Sequence, residues 1–136
     1  MKALKNLILS IFLVSVFCVI SYGQTCSCVA ETSGAYDSKQ MESDYIPPGT
    51  DVSWSLSITT FNEATYNYTS ALATIIGAPT TTVLQYKNTG NYYLHTDNSN
   101  GVWYNCPVDY VLLLCSARQG PRDSGGGAYA TARVSW

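Results

Sequence analysis

From Val52 the chain reads "VSWSLSITT", with Val52, Trp54, Leu56 and Ile58 falling on one side of an extended strand and Ser53, Ser55, Ser57 and Thr59 on the other. Alternation with a period of two predicts a strand with one buried face. The same rhythm returns in "AYATARVSW", where Ala128, Ala130, Ala132, Val134 and Trp136 oppose Tyr129, Thr131, Arg133 and Ser135. "TTTVLQY", "YYLHT" and "ATYNYTSALATII" read as further strands, the last because its β-branched residues outweigh the helical spacing of Leu72, Ile75 and Ile76. "DYVLLLCSAR" is the most apolar run after the leading residues and predicts a central strand buried on both faces. Turn chemistry separates these runs. "KNTGN" and "DNSNG" predict turns, with Asn100-Gly101 the stronger hairpin signal, and "QGPRDSGGG" predicts a glycine-rich hairpin loop. About seven strands and no amphipathic helix of normal length predict an all-β fold, antiparallel, closed as a sandwich or small barrel.

The amino-terminal residues change the picture of the compartment. Lys2 and Lys5 precede an apolar run over residues 7–20, and small residues at Ser21 and Gly23 fit cleavage after Gly23. Residues 1–23 therefore read as a secretory signal peptide, too short to span a bilayer, and residues 24–136 as a single secreted, extracellular β domain with no membrane insertion. Cleavage removes Cys18 and leaves four cysteines, Cys26, Cys28, Cys106 and Cys115. It also leaves five Lys and Arg against nine Asp and Glu, a net charge of minus four, which argues against nucleic acid as a partner.

An even number of cysteines in an oxidising compartment predicts disulfides. Cys26 and Cys28 are too close along an extended chain to bond to each other, so each is expected to take one of Cys106 and Cys115. Two pairings remain, of which Cys26 with Cys106 and Cys28 with Cys115 is the preferred one. Such bridges would hold residues 24–43, a polar segment with few apolar residues of its own. Asn67-Tyr68-Thr69 supplies a glycosylation acceptor at Asn67.

Catalytic chemistry finds little to work with. His95 is the single histidine and falls in a tyrosine-rich strand, where packing is its expected role; Asp97 and Asp109 sit where turns favour aspartate. No nucleophile elbow and no phosphate-binding glycine loop is present. A non-enzymatic protein with no metal and no cofactor is the expectation.

Two family resemblances touch these residues. "CSCV" at residues 26–29 resembles the amino terminus of the tissue inhibitors of metalloproteinases, which implies protease inhibition through the first cysteine. "GNYYLHTDN" and "DYVLLLCSAR", within residues 90–118, resemble the strand pair of lipocalins. That resemblance implies a carrier of a small apolar ligand, with Trp54, Leu56, Tyr92, Leu94 and Leu113 lining its pocket, and is consistent with an amino-terminal cysteine bound to Cys115. Against both stands the composition, rich in Ser, Thr, Asn, Gly and Tyr, which favours an extracellular structural or recognition module for protein or glycan.

Overall fold

The computed structural model describes residues 23–32, 36–62, 68–77, 81–89, 93–120 and 126–136. Its strands are β1 (Thr25–Glu31), β2 (Tyr36–Glu42), β3 (Val52–Asn62), β4 (Thr69–Ile76), β5 (Thr82–Asn88), β6 (Tyr93–Trp103), β7 (Leu112–Gln119) and β8 (Gly126–Ser135). They form two four-stranded sheets, a first in the order β1-β8-β3-β6 and a second in the order β2-β7-β4-β5, with every pairing antiparallel. The all-β, antiparallel expectation holds, and the architecture is a sandwich of two sheets rather than a barrel.

Alternation becomes packing in a direct way. Val52, Leu56 and Ile58 of β3 and Ala128, Ala130, Ala132 and Val134 of β8 are buried on the inner face of the first sheet. Ala71, Ala73 and Ile75 of β4 and Leu113, Cys115 and Ala117 of β7 face them from the second. Because so many of these side chains are methyl groups, the sheets come close, and Cα atoms of β8 lie within 8 Å of Cα atoms of β4 and β7. Each fully buried Leu or Ile contributes on the order of 2 kcal/mol. Ile46 and Val111 are buried among them beyond the strand ends. Along the β5–β6 side the Tyr86 and His95 rings stack with centroids 3.6 Å apart, and the Asn88 amide donates to the carbonyl of Tyr93 at 2.7 Å.

Several sequence expectations are corrected. Among the described residues there are eight strands, close to the seven or so expected; the exposed, polar edge strand β2 is one that periodicity does not register. Residues 24–43 are accordingly held by ladders: β1 pairs with β8 and β2 with β7 along their lengths. Asn100-Gly101 is no hairpin turn; β6 runs straight through it and through Asp97, and the chain turns instead at Tyr104 and Asn105, the latter with φ of 50°. Gly101 is there for another reason. A Cβ at that position would lie 2.7 Å from the Trp54 ring, so glycine lets the indole cover the strand. Gly126 and Gly127 likewise belong to β8, opposite Asn62 and Phe61, rather than to a loop. β7 is central, as expected, but only its inner face is fully buried; Leu112 and Leu114 on the other face are half-buried.

Candidate functional site

Antiparallel register assigns the outer face of the first sheet residue by residue. Across β1, β8, β3 and β6 the rows run Glu31, Tyr129, Thr59, Thr96; then Val29, Thr131, Ser57, Asn98; then Ser27, Arg133, Ser55, Asn100. This face is a field of hydroxyls and amides in which a few larger groups stand out. At one end, Glu31, Thr32, Thr59, Phe61, Gly126, Gly127, Ala128 and Tyr129 line an open cleft of about 400 Å³. Gly127 lies directly between its aromatic walls in sequence and register: Phe61 is its partner on β3, and Tyr129 is two residues along β8 on the same face. A side chain at 127 would project into the cleft that these residues line. Glycine leaves the floor flat, with the Thr32 hydroxyl 3.6 Å from where a Cβ would be.

The cleft combines two kinds of contact. Tyr129, 39 % exposed, and the half-buried Phe61 offer ring surface, while Glu31 and the hydroxyls of Thr59 and Thr32 offer hydrogen bonds. The Thr59 hydroxyl is steadied by that of Thr96 at 3.3 Å, and Thr32 both accepts from the Ala128 amide at 2.9 Å and donates towards its carbonyl. Flat apolar surface flanked by such groups suits a ligand that has a weakly polar face and a hydroxylated rim. Further along the same face, Ser53, Trp54, Ser55, Arg133 and Ser135 line a smaller pocket of about 220 Å³.

The cysteines occupy the interior. Cys26, Cys28, Cys106 and Cys115 are all buried, and all four are free thiols in the structure. Cys28 on β1 and Cys115 on β7 meet across the sandwich: the Cys115 thiol donates to the Cys28 carbonyl at 3.1 Å, and the Cys28 thiol donates to the Lys39 carbonyl at 3.2 Å. The Cys26 thiol points to the Glu42 carbonyl at 3.6 Å, and Cys106 is held through its backbone to Thr50 and Gly49. Burial, with the neighbouring Cys28 thiol second, pushes the Cys115 thiol up to about 12. Burial also raises Cys26, with Cys28 and Asp44 adding to it.

A raised thiol pKa has a defined consequence for stability. With both cysteines reduced, the unfolded chain loses the Cys115 proton near pH 9 while the folded chain keeps it, so folded protein binds more protons and stability falls as pH rises from 9 towards 12. Urea denaturation of the reduced protein is expected to show a midpoint that is level below pH 8 and declines above pH 9. A level midpoint throughout would contradict the buried, opposed placement of this thiol.

The residues assigned to a lipocalin-like pocket are not gathered round one cavity. Leu56 and Leu113 are in the sealed core, Trp54 is half-buried against Trp103, and Leu94 is 60 % exposed on the outer face of β6. Tyr92 and Asn67 lie outside the described residues, as do residues 1–22, where a signal peptide is expected. His95 is packed on Tyr86, and the Asp97 carboxylate accepts from the Asn98 amide at 2.8 Å. Among the described residues, no three His, Cys, Asp or Glu side chains are placed to hold a metal ion. Phe61, Tyr129, Glu31 and Gly127 were not marked by the sequence as a group. Outward positions on β8 were legible from alternation, but their meeting with Phe61 depends on which strand lies beside β8.

The class that fold and face define is an antiparallel β-sandwich with one polar, aromatic-walled sheet face. No known protein family matches the sequence, and no curated protein matches it either. Solved structures similar to the chain include the infectious bursal disease virus Gx strain (12 % identity, TM-score 0.38, 83 % of this chain and 29 % of that one). The T=1 particles derived from infectious bursal virus are similar at 14 % identity and TM-score 0.39, over 85 % of this chain and 32 % of that one. TmCBM61 in complex with beta-1,4-galactotriose is similar at 13 % identity and TM-score 0.38, over 85 % of this chain and 88 % of that one. The chain spans about a third of the length of the viral proteins it resembles. These likenesses are of fold alone.

Proposed function

We propose that the protein is a secreted, non-enzymatic recognition module that binds a glycan on the outer face of its first sheet, through the cleft walled by Phe61 and Tyr129. The observation that carries this reading is the flat glycine floor between two aromatic rings, rimmed by Glu31, Thr32 and Thr59. A pyranose ring stacks its C–H face on an aromatic side chain and directs its hydroxyls outward. Carboxylate and threonine groups placed beside the ring then satisfy those hydroxyls. The volume of about 400 Å³ suits one or two sugar rings, and its openness to solvent lets a longer chain run on along the sheet.

Titration of the protein with a panel of neutral tri- to hexasaccharides tests the cleft. Tyr129→Ala and Phe61→Ala are expected to weaken binding roughly tenfold each, the loss typical of truncating an aromatic anchor. Tyr129 is at the surface, so its variant keeps the thermal midpoint of the native protein. Undiminished binding by Tyr129→Ala would remove the cleft from the function.

The secretory reading extends to the opposed thiols. An extracellular route supplies a disulfide-bearing oxidoreductase, and exchange with it converts the Cys28 and Cys115 thiols to one S–S bond while the donor disulfide takes up two electrons and two protons as two thiols. The support is their meeting across the sandwich, in strands β1 and β7 whose Cα atoms come within 8 Å. Once formed, the bridge lies in the buried core, out of reach of reductants as long as the chain stays folded.

A further inference from the structure

We propose that the pocket around Arg133 is an anion subsite, so that the glycan recognised on this face carries an acidic group, a uronate carboxylate or a sulfate ester. The inference rests on the glycan reading above and specifies its ligand.

Arg133 lies on the outer face of β8, exposed, with Ser27 of β1 on one side and Ser55 of β3 on the other in register. Ser53 and Ser135 complete the pocket. The side chains directly in register with Arg133 are hydroxyls, Ser27 and Ser55, with the Asn100 amide one strand further and Trp54 also lining the pocket; among the described residues the guanidinium has no ion pair, and the single described pair is Lys39 with Asp37. An arginine ringed by serines and left without a carboxylate offers a planar fork of donors matched to the two oxygens of a carboxylate or sulfate. Its surroundings add hydroxyl donors and no competing anion. A lysine or arginine that serves only solubility has no need of a pocket, and Lys39, paired with Asp37 on the edge strand, is of that kind.

Placement on the strand fixes the geometry of the ligand. Arg133 is four residues along β8 from Tyr129, about 13 Å at the rise of a strand, which a short oligosaccharide bridges. Thr131 of β8 and Ser57 of β3 form the row between, so hydroxyls line the whole path. Charge sets the direction. Glu31 at the aromatic cleft repels an anion, so a neutral sugar stacks on Tyr129 and the acidic one lies over Arg133. The net charge of the whole chain is negative, formally minus two at pH 7, so no general field draws an anion here. Selectivity for acid must come from this pocket.

The test compares three oligosaccharide sets of matched backbone and length, neutral, uronate-containing and sulfated, with native protein, Arg133→Gln and Arg133→Lys. The native protein is expected to bind at least one acidic set roughly fivefold or more tighter than the neutral set, the gain of a charge-assisted contact at an exposed site. The preference shrinks as salt rises. Arg133→Gln should abolish it while leaving neutral binding, and its weakening by Tyr129→Ala, unchanged. Arg133→Lys should keep part of it, since charge remains and the fork is lost. Tighter binding of the uronate set alone identifies a carboxylate ligand, of the sulfated set alone a sulfate ester, and of both a site that reads charge. Equal binding of acidic and neutral sets, untouched by Arg133→Gln, overturns the anion subsite and leaves the cleft standing. Absence of binding to all three sets overturns both.

Discussion

Replacing Cys28 and Cys115 together by alanine is expected to cost the oxidised protein about 4 kcal/mol of stability, because the bridge proposed between them would close a loop between residues 87 apart in sequence. Alanine is the informative replacement. Register sets Cys28 beside Ala132 and Cys115 beside Ala73, with Ala30 and Ala117 two residues along, and a methyl group leaves only a small void there and adds no polar atom. Urea denaturation of native protein with and without reductant gives the comparison: reduction should bring the native midpoint down towards that of the double variant and leave the variant itself unmoved. The part of the alkaline pH dependence that comes from Cys115 disappears in the oxidised protein for the same reason, as no Cys115 proton remains to be held. If thiol titration of secreted, unreduced and denatured protein counts four thiols, there is no bridge, and the double variant should then lose no more than the packing of two sulfur atoms.

Gly126→Val is the second large effect. Gly126 has φ of 118°, a conformation that a β-branched residue takes only under strain. Its Cβ would lie 2.6 Å from the Phe61 carbonyl oxygen and 3.4 Å from the Cα of Asn62 and from the Thr69 side chain. The obstacle at closest range is backbone at the last pairs of the β3–β8 ladder, which cannot swing aside as a side chain can. A loss of about 3 kcal/mol or more in urea denaturation is expected. Binding should suffer in the fraction that still folds, because movement of Phe61 displaces one wall of the cleft. Gly49→Ala is the comparison: φ is positive there too, at 81°, but nothing lies within 4 Å of the added carbon, so the cost should be about 1 kcal/mol and oligosaccharide titration should be unaffected. Equal losses at both positions would mean that backbone strain, and not the clash with Phe61, governs the effect.

Much of this arrangement follows from the chain read alone. Alternation in β3 and β8 sorts inward from outward residues without reference to any partner, because successive side chains of a strand must point to opposite faces. It placed Leu56, Ile58, Ala130 and Val134 in the core and Tyr129 and Arg133 outside it, as found. An all-β fold and a central β7 were equally legible, since long apolar or alternating runs admit few other arrangements. Local signals failed where a distant residue had a stronger claim. Asn100-Gly101 carries a turn preference worth little against eleven residues of β6 paired to β3 and an indole that needs the space of a missing side chain. β2 escaped notice because an edge strand buries little and has no reason to alternate. The meeting of Phe61 with Gly127 and Tyr129 depends on strand order and on the register between β3 and β8. Both are set by contacts between segments dozens of residues apart, and no window of sequence contains the two partners at once.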